Sequence, residues 1–253
     1  MKRTLSFLPN LITLLNLSFG CVAIVFALQG WTLFAGYCIM LAAVFDFCDG
    51  LAARLLDAYS EVGKQLDSLA DVVSFGVAPA AMLYKAMCIA LEAKTAWDLD
   101  SLGWELFAFI PFVIALFSAL RLAKFNVDTR QSNLFLGLPT PANALFIASF
   151  LMYARYHTAL DAYITPINIS IAVVLLSALL VVEIPMLALK FKGLTWHPNR
   201  QRYIFILLTV IIFVEVLLSA QEWMFAIVLI IPLYILYSIS LAVINRLCKT
   251  SNP

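Results

Sequence analysis

Residues 31–90 read WTLFAGYCIMLAAVFDFCDGLAARLLDAYSEVGKQLDSLADVVSFGVAPAAMLYKAMCIA. Two apolar runs, at about 31–55 and 66–90, are each long enough to cross the roughly 30 Å hydrocarbon core of a bilayer as a helix. Inside them stand four aspartates: Asp46, Asp49, Asp67 and Asp71. The polar connection is short, so the two helices are expected to be antiparallel neighbours. Asp46 and Asp49, at i, i+3, share one face of the first helix, and Asp67 and Asp71, at i, i+4, share one face of the second. The stretch therefore predicts four carboxylates converging at one surface of a membrane.

The rest of the chain agrees with a membrane setting. Of 253 residues, 64% are hydrophobic and 12% charged, against roughly 45–50% and about 25% in soluble domains. Mean hydropathy is +0.98. A cytosolic enzyme, a disordered chain and a disulfide-stapled secreted domain are excluded by these values. The long uninterrupted runs are also unlike the ~10-residue alternating strands of an outer-membrane barrel. Apolar segments fall at about 9–28, 31–55, 66–90, 104–124, 141–157, 164–189, 203–219 and 223–246. The expected fold is an all-α polytopic membrane protein of about eight transmembrane helices. One transmembrane domain covers 1–253, with no room for a separate soluble one. Met1-Lys2-Arg3 before an apolar stretch could open a signal peptide. The run from Leu11 to Leu28 is long and no clear cleavage pattern follows, so it reads as the first membrane helix.

Orientation follows from the loop charges. With the N-terminus inside, the inner group holds Lys2, Arg3, Arg54, Lys64, Arg121, Lys124, Arg130, Lys190, Lys192, Arg200, Arg202, Arg246 and Lys249; the outer group holds Lys85, Lys94 and Arg155. Thirteen against three satisfies the positive-inside rule and puts both termini and the carboxylates on the cytoplasmic side, in the cytoplasmic membrane. A net charge of +1 gives no argument for nucleic acid. The five cysteines are odd in number and four lie inside apolar runs, so they read as free thiols. No inverted repeat of broken helices, the mark of many transporters, is visible.

An isolated carboxylate in a membrane helix costs about 2.5–3.5 kcal/mol on insertion scales, and four would repel one another. Arg54 and Lys64 are the nearest cations in sequence, and two cations cannot neutralise four carboxylates. Divalent ions can. A cluster of hard oxygen ligands suits Mg²⁺ or Mn²⁺, and shared carboxylates can bridge two ions. Gly50 and Ala53 lie near the same face, where a missing side chain admits a substrate or serves helix packing. With Arg54 and Lys64 at the rim, the composition is that of a site for a diphosphate-bearing molecule.

The spacing Asp46-x2-Asp49-Gly50-x2-Ala53-Arg54-x8-Gly63-x3-Asp67-x3-Asp71 matches the signature of the CDP-alcohol phosphotransferase family at each of its eight fixed positions. The chain resembles that family of membrane enzymes, which have a six-helix core and displace CMP from a CDP-linked donor with an alcohol. The resemblance implies a family-like core over about 1–190, two additional helices at about 203–246, and a homodimer. It assigns Asp46, Asp49, Asp67 and Asp71 to a site for two Mg²⁺ or Mn²⁺ ions, and makes Asp71 the general base for the incoming hydroxyl. Gly50, Ala53 and Arg54, with Gly63 and Lys64, would hold the CDP-lipid, joined by Asn10 and Thr13 from Pro9-Asn10-Leu-Ile-Thr13. Read on its own, Asn10 is equally a helix N-cap.

Three more segments resemble the phosphatidylserine synthase branch: Asp67-Ser68-Leu-Ala-Asp71-Val-Val-Ser74-Phe75-Gly76-Val-Ala-Pro79, Arg121-Leu-Ala-Lys124-Phe125-Asn126 and Gly137-Leu-Pro139-Thr140-Pro141. The branch has Arg where this chain has Lys124, which keeps the charge and loses the bidentate fork. Arg121, Lys124 and Asn126, with Ser68, are the candidates for binding the serine carboxylate or a substrate phosphate. The implied reaction moves a phosphatidyl group from CDP-diacylglycerol to L-serine, giving phosphatidylserine and CMP. One alternative keeps the chemistry and takes glycerol 3-phosphate or an inositol phosphate, acceptors that favour a denser cationic pocket. An alternative of another class is a cation transporter, which leaves Gly50, Ala53, Arg54 and Gly63 without a role. His157 is expected at the outer interface and His197 in an inner loop; Glu183 and Glu215 are expected within helices.

Overall fold

The computed structural model describes residues 7–92, 106–128, 135–187 and 195–250. Lys2, Arg3, Lys94, Arg130, Lys190 and Lys192, which carry part of the charge asymmetry, lie outside the described residues. Eight long helices follow one another among the described residues: α1 (Phe7–Leu28), α2 (Thr32–Leu55), α3 (Glu61–Glu92), α4 (Ile110–Val127), α5 (Thr140–Ala154), α6 (Pro166–Val181), α7 (Trp196–Leu218) and α8 (Trp223–Thr250). Each coincides with one of the apolar runs. Six are long and apolar enough to cross a membrane. The other two, α5 with 15 residues and α6 with 16, rise about 23 Å, short of the bilayer core.

Several boundaries differ from those the hydropathy predicts, for identifiable reasons. α3 starts at Glu61, five residues before its apolar run, because Ser60 caps it by accepting the Gly63 N–H at 2.9 Å. α4 starts at Ile110, with Pro111 in its opening 3₁₀ turn, a position where the missing N–H costs nothing. α6 stops at Val181, since Val182 is extended and Pro185 follows. Glu183 therefore lies outside a helix, contrary to the sequence expectation, whereas Glu215 does lie in α7. α7 begins at Trp196, so His197 sits in a first helical turn rather than in a loop. Asn10 lies in α1's first turn and not at a cap position.

Packing is an inside-out version of a soluble bundle. Small residues, among them Ala23, Ala27, Ala35, Ala42, Ala78, Ala81, Ala144 and Ala148, are buried where helices meet, and Leu14, Val22, Val25, Phe34, Leu41 and Val44 are exposed as lipid-facing residues should be. α1 turns into α2 through Gly30 at φ +81°, with the Gly30 N–H on Ala27 O and the Trp31 N–H on Phe26 O. Two-residue strands β1 (Phe135–Leu136) and β2 (Pro185–Met186) pair antiparallel, joining the chain before α5 to the chain after α6. Gly137, at φ +75°, passes so close beneath α6 that a Cβ would lie 2.5 Å from the Leu180 carbonyl.

α3 is not uniformly α-helical. Directly after Asp71 its hydrogen bonding widens to a π-helical turn over Val72–Val77, a distortion common at functional sites. Ser74 in this turn donates to Asn16 O of α1 at 3.0 Å. A Cβ on Gly20 of α1 would overlap the Ser74 hydroxyl and come 2.8 Å from Ser74 Cα. Gly20→Val should therefore push α1 off the π turn and lower the melting temperature of the purified protein, with an overpacking cost of about 1–3 kcal/mol. Cys21→Val on the exposed side of the same helix should leave it unchanged.

Candidate active site

Four helix ends meet at one end of the bundle: the start of α1, the end of α2, the start of α3 and the end of α4. The i, i+3 and i, i+4 spacings bring the carboxylates together as predicted. Oxygens of Asp46, Asp49 and Asp67 all lie within 4.8 Å of one another. Asp71 joins through Asp46, whose carboxylate reaches hydrogen-bonding range of both Asp67 and Asp71. Asp49 and Asp71 are buried. Neutral donors from α1 reach the two buried acids: Thr13 Oγ1 donates to Asp49 Oδ2 at 2.6 Å and Asn16 Nδ2 to Asp71 Oδ1 at 3.3 Å.

The nearby cations do not neutralise this cluster. Arg54 Nε donates to Gly50 O at 2.9 Å and Lys64 Nζ to Asn126 O at 3.3 Å. Among the described residues neither forms an ion pair with the four acids. Arg121 of α4 is buried, and it is close enough for its charge to act on Asp71. The donor set, hard carboxylate oxygens converging from two helices with excess negative charge, fits a divalent cation.

The remaining sequence-predicted residues divide by position. Gly50 has open space where a Cβ would point; the nearest atom is Arg54 Nη2 at 3.7 Å. It packs no helix, and the gap beside the carboxylates remains free, with Ala53 half-buried one turn on. Gly63 is tighter, because a Cβ there would come 2.9 Å from both Asn10 Oδ1 of α1 and the Ser60 Oγ that caps α3. Thr13 is buried and its hydroxyl is engaged with Asp49. Ser68 and Asn126 bind each other, Asn126 Nδ2 donating to Ser68 Oγ at 2.8 Å; with Lys64 they latch α3 to the end of α4. Arg121 and Lys124 line a separate cavity of about 310 Å³ together with Asp128 and Glu183, and Arg121 Nη1 donates to Thr140 Oγ1 at 3.4 Å. His157 packs at a tilt against the Tyr153 ring, and His197 is exposed.

Residues 6–196 match the model of the CDP-alcohol phosphatidyltransferase family. The chain belongs to that family. The match ends at the first residue of α7. An archaetidylserine synthase of Methanothermobacter thermautotrophicus is 35% identical over 183 residues, 70% of this chain and 71% of that protein. A CDP-diacylglycerol–serine O-phosphatidyltransferase of Helicobacter pylori is 30% identical over 234 residues, 91% of this chain and 89% of its own length. The enzyme of that name from Mycobacterium tuberculosis is 37% identical over 154 residues, 58% of this chain; the match spans about half, 49%, of the mycobacterial protein.

Membership in a metal-dependent family agrees with the oxygen cluster. Sequence reasoning missed Asn16 on Asp71 and gave no role to two residues of the resembling segments, Ser74 on the Asn16 backbone and Thr140 on Arg121. The first two sit in apolar runs where a single polar residue has no periodic signal. Thr13→Val removes the donor to Asp49 at nearly constant volume. It should weaken Mn²⁺ binding about 10–100-fold, the usual effect of deleting a hydrogen bond to a metal ligand, whereas Thr13→Ser should stay near wild type. Titration of free Mn²⁺ by electron paramagnetic resonance checks both.

Proposed function

We propose that the protein transfers the phosphatidyl group of CDP-diacylglycerol to the hydroxyl of L-serine, giving phosphatidylserine and CMP. The observation that carries the serine assignment is the mixed charge of the cavity lined by Arg121, the residue whose charge reaches Asp71. Arg121 and Lys124 there suit a carboxylate, and Asp128 and Glu183 on the same walls suit an ammonium group. A phosphate-bearing acceptor would meet those two acids with like charge. The names of the serine-transferring relatives support the same acceptor.

In this reading Asp46, Asp49, Asp67 and Asp71 hold Mg²⁺ or Mn²⁺, two ions by resemblance to the family. When bound, the metal neutralises charge on the diphosphate and on departing CMP. The chain's own residues do the rest. Asp71 takes the proton of the serine hydroxyl as its oxygen bonds to the phosphorus nearer the lipid. The bond from that phosphorus to the bridging oxygen breaks, and CMP leaves with the electron pair. Asn16 donates to one oxygen of Asp71 and so fixes the orientation of the carboxylate. The space at Gly50 and Ala53, with Arg54 and Lys64 at the rim, accepts the CDP group, with Asn10 at the α1–α3 contact. The acyl chains stay in the bilayer.

The reading includes one transmembrane catalytic domain, with α1–α6 as the family core and α7 and α8 added to it. It includes eight spans, an active site on the cytoplasmic side of the cytoplasmic membrane, as the thirteen-to-three charge asymmetry supports, and a homodimer.

The test is CMP release by purified protein in detergent with CDP-diacylglycerol and Mg²⁺ or Mn²⁺, supplying L-serine, glycerol 3-phosphate, inositol phosphate or no acceptor. Release should rise with serine alone; a rise with another acceptor would overturn the serine assignment. Since detergent abolishes any gradient, release also removes the cation-transporter alternative. Asp71→Asn should lower kcat by about 10²–10⁴-fold, the range for losing a general base, with a much smaller change in CDP-lipid affinity. Near-normal turnover would remove Asp71 from that role.

A further inference from the structure

A second cavity lies at the end of the bundle away from the carboxylates. It has a volume of about 530 Å³ and sits between the α1–α2 turn, the second half of α3, the end of α5 and the start of α6. Its size is within the range of roughly 300–1,000 Å³ typical of ligand pockets. We propose that it binds an anionic glycerophospholipid, with Lys85 and Arg155 on the lipid phosphate and the acyl chains along the apolar wall.

Lys85 is the first reason. It follows Asp71 along α3 by 14 residues, roughly 21 Å at the helical rise, and it is half-buried in a membrane-spanning helix. Its stem lies over the α1–α2 turn, where a Cβ on Gly30 would be 3.5 Å from Lys85 Cε. An ionisable group at such a position needs a partner, and among the described residues Lys85 has no ion pair or side-chain hydrogen bond. Arg155 on the same cavity has none either, and the one carboxylate on the walls, Asp161, is paired with neither cation. Two cations and one acid leave a net positive charge, which fits a headgroup with one negative charge.

The walls decide between a lipid and a soluble phosphate. Met82, Ala86, Ala90 and Leu151 line the cavity beside the cations, and a free phosphate would leave that apolar surface facing water. Acyl chains cover it, and they can exit past Ile89, which lines the cavity and is 54% exposed. The level is also right for a headgroup. Trp31, Tyr156 and Tyr163 are exposed at this end of the bundle, as in the aromatic belt of a membrane interface. The small side chains of Ala86 and Ala90 create the volume; larger residues there would fill it.

Native mass spectrometry of the full-length, delipidated protein tests this proposal. The protein is titrated with phosphatidylglycerol, with phosphatidylcholine of matched chains, and with glycerol 1-phosphate. Wild type should bind phosphatidylglycerol in preference to the other two. The double variant Lys85→Gln/Arg155→Gln should bind it about tenfold more weakly, since it lacks two charge-assisted contacts. Ala86→Trp, which keeps both cations and fills the space, should lose it as well. Both variants should release CMP at the wild-type rate, which reports an intact fold and a separate site. Equal binding of phosphatidylcholine, undiminished phosphatidylglycerol binding in the double variant, or equally tight glycerol 1-phosphate would each overturn the proposal, the last by showing a soluble-phosphate site.

Discussion

Four carboxylates placed together at the edge of a low-dielectric bundle repel one another, and the rest of the site is arranged around that repulsion. Two unit charges 4 Å apart cost about 4 kcal/mol at the effective dielectric of about 20 that suits protein sites, and three of these groups crowd within 4.8 Å. Hydrogen bonds from Thr13 and Asn16 supply direction without charge. Arg54 and Lys64, the cations closest in sequence, turn to backbone carbonyls instead. A divalent cation held by the cluster would offset that repulsion. Binding such an ion would then be coupled to the positions of the α2 and α3 ends that carry the acids.

α1 is the helix through which that equilibrium reaches the fold. It touches the acid-bearing ends of α2 through Thr13 and of α3 through Asn10 and Asn16, and it receives Ser74 from the π turn. The π turn matters because it changes the direction of every side chain after Asp71 relative to those before it. With α-helical bonding throughout, Ser74 and Asp71 would keep the angular offset of an ordinary i, i+3 pair. The wider turn lets one residue of α1, Asn16, donate to Asp71 from its side chain and accept from Ser74 at its carbonyl.

The helices and the carboxylate cluster were legible in the sequence because both rest on regular spacing: long apolar runs for the spans, i, i+3 and i, i+4 for the acids. What was not legible depends on partners distant in the chain. Asn16 and Asp71 are separated by 55 positions, and nothing local to Asn16 distinguishes it from a polar residue tolerated in a helix. The pairing of β1 with β2 and the early stop of α6 also arise from tertiary contact. The contacts of the last helix are tertiary in the same way. Tyr234 of α8 donates to Leu187 O at 3.1 Å, and Ser238 accepts the Leu187 N–H. α8 thus braces the segment that begins with Glu183 on the wall of the Arg121 cavity.

The two glycines of the acidic motif show how a shared signature can contain unrelated physical requirements. Gly63 serves a close contact: a Cβ would press on the Asn10 amide of α1 and on the Ser60 hydroxyl that caps α3. Gly50 is needed, if at all, for a space, because nothing but the end of its own Arg54 side chain lies near a Cβ built there. Alanine at position 63 should thus cost stability by disturbing the Ser60 cap and turning the Asn10 side chain away. At position 50 it should leave stability intact and act on the CDP-lipid, by intruding where the donor approaches the carboxylates. A spacing pattern weights both positions equally. Only the direction in which each absent side chain would have pointed separates the glycine that closes the fold from the one that keeps the site open.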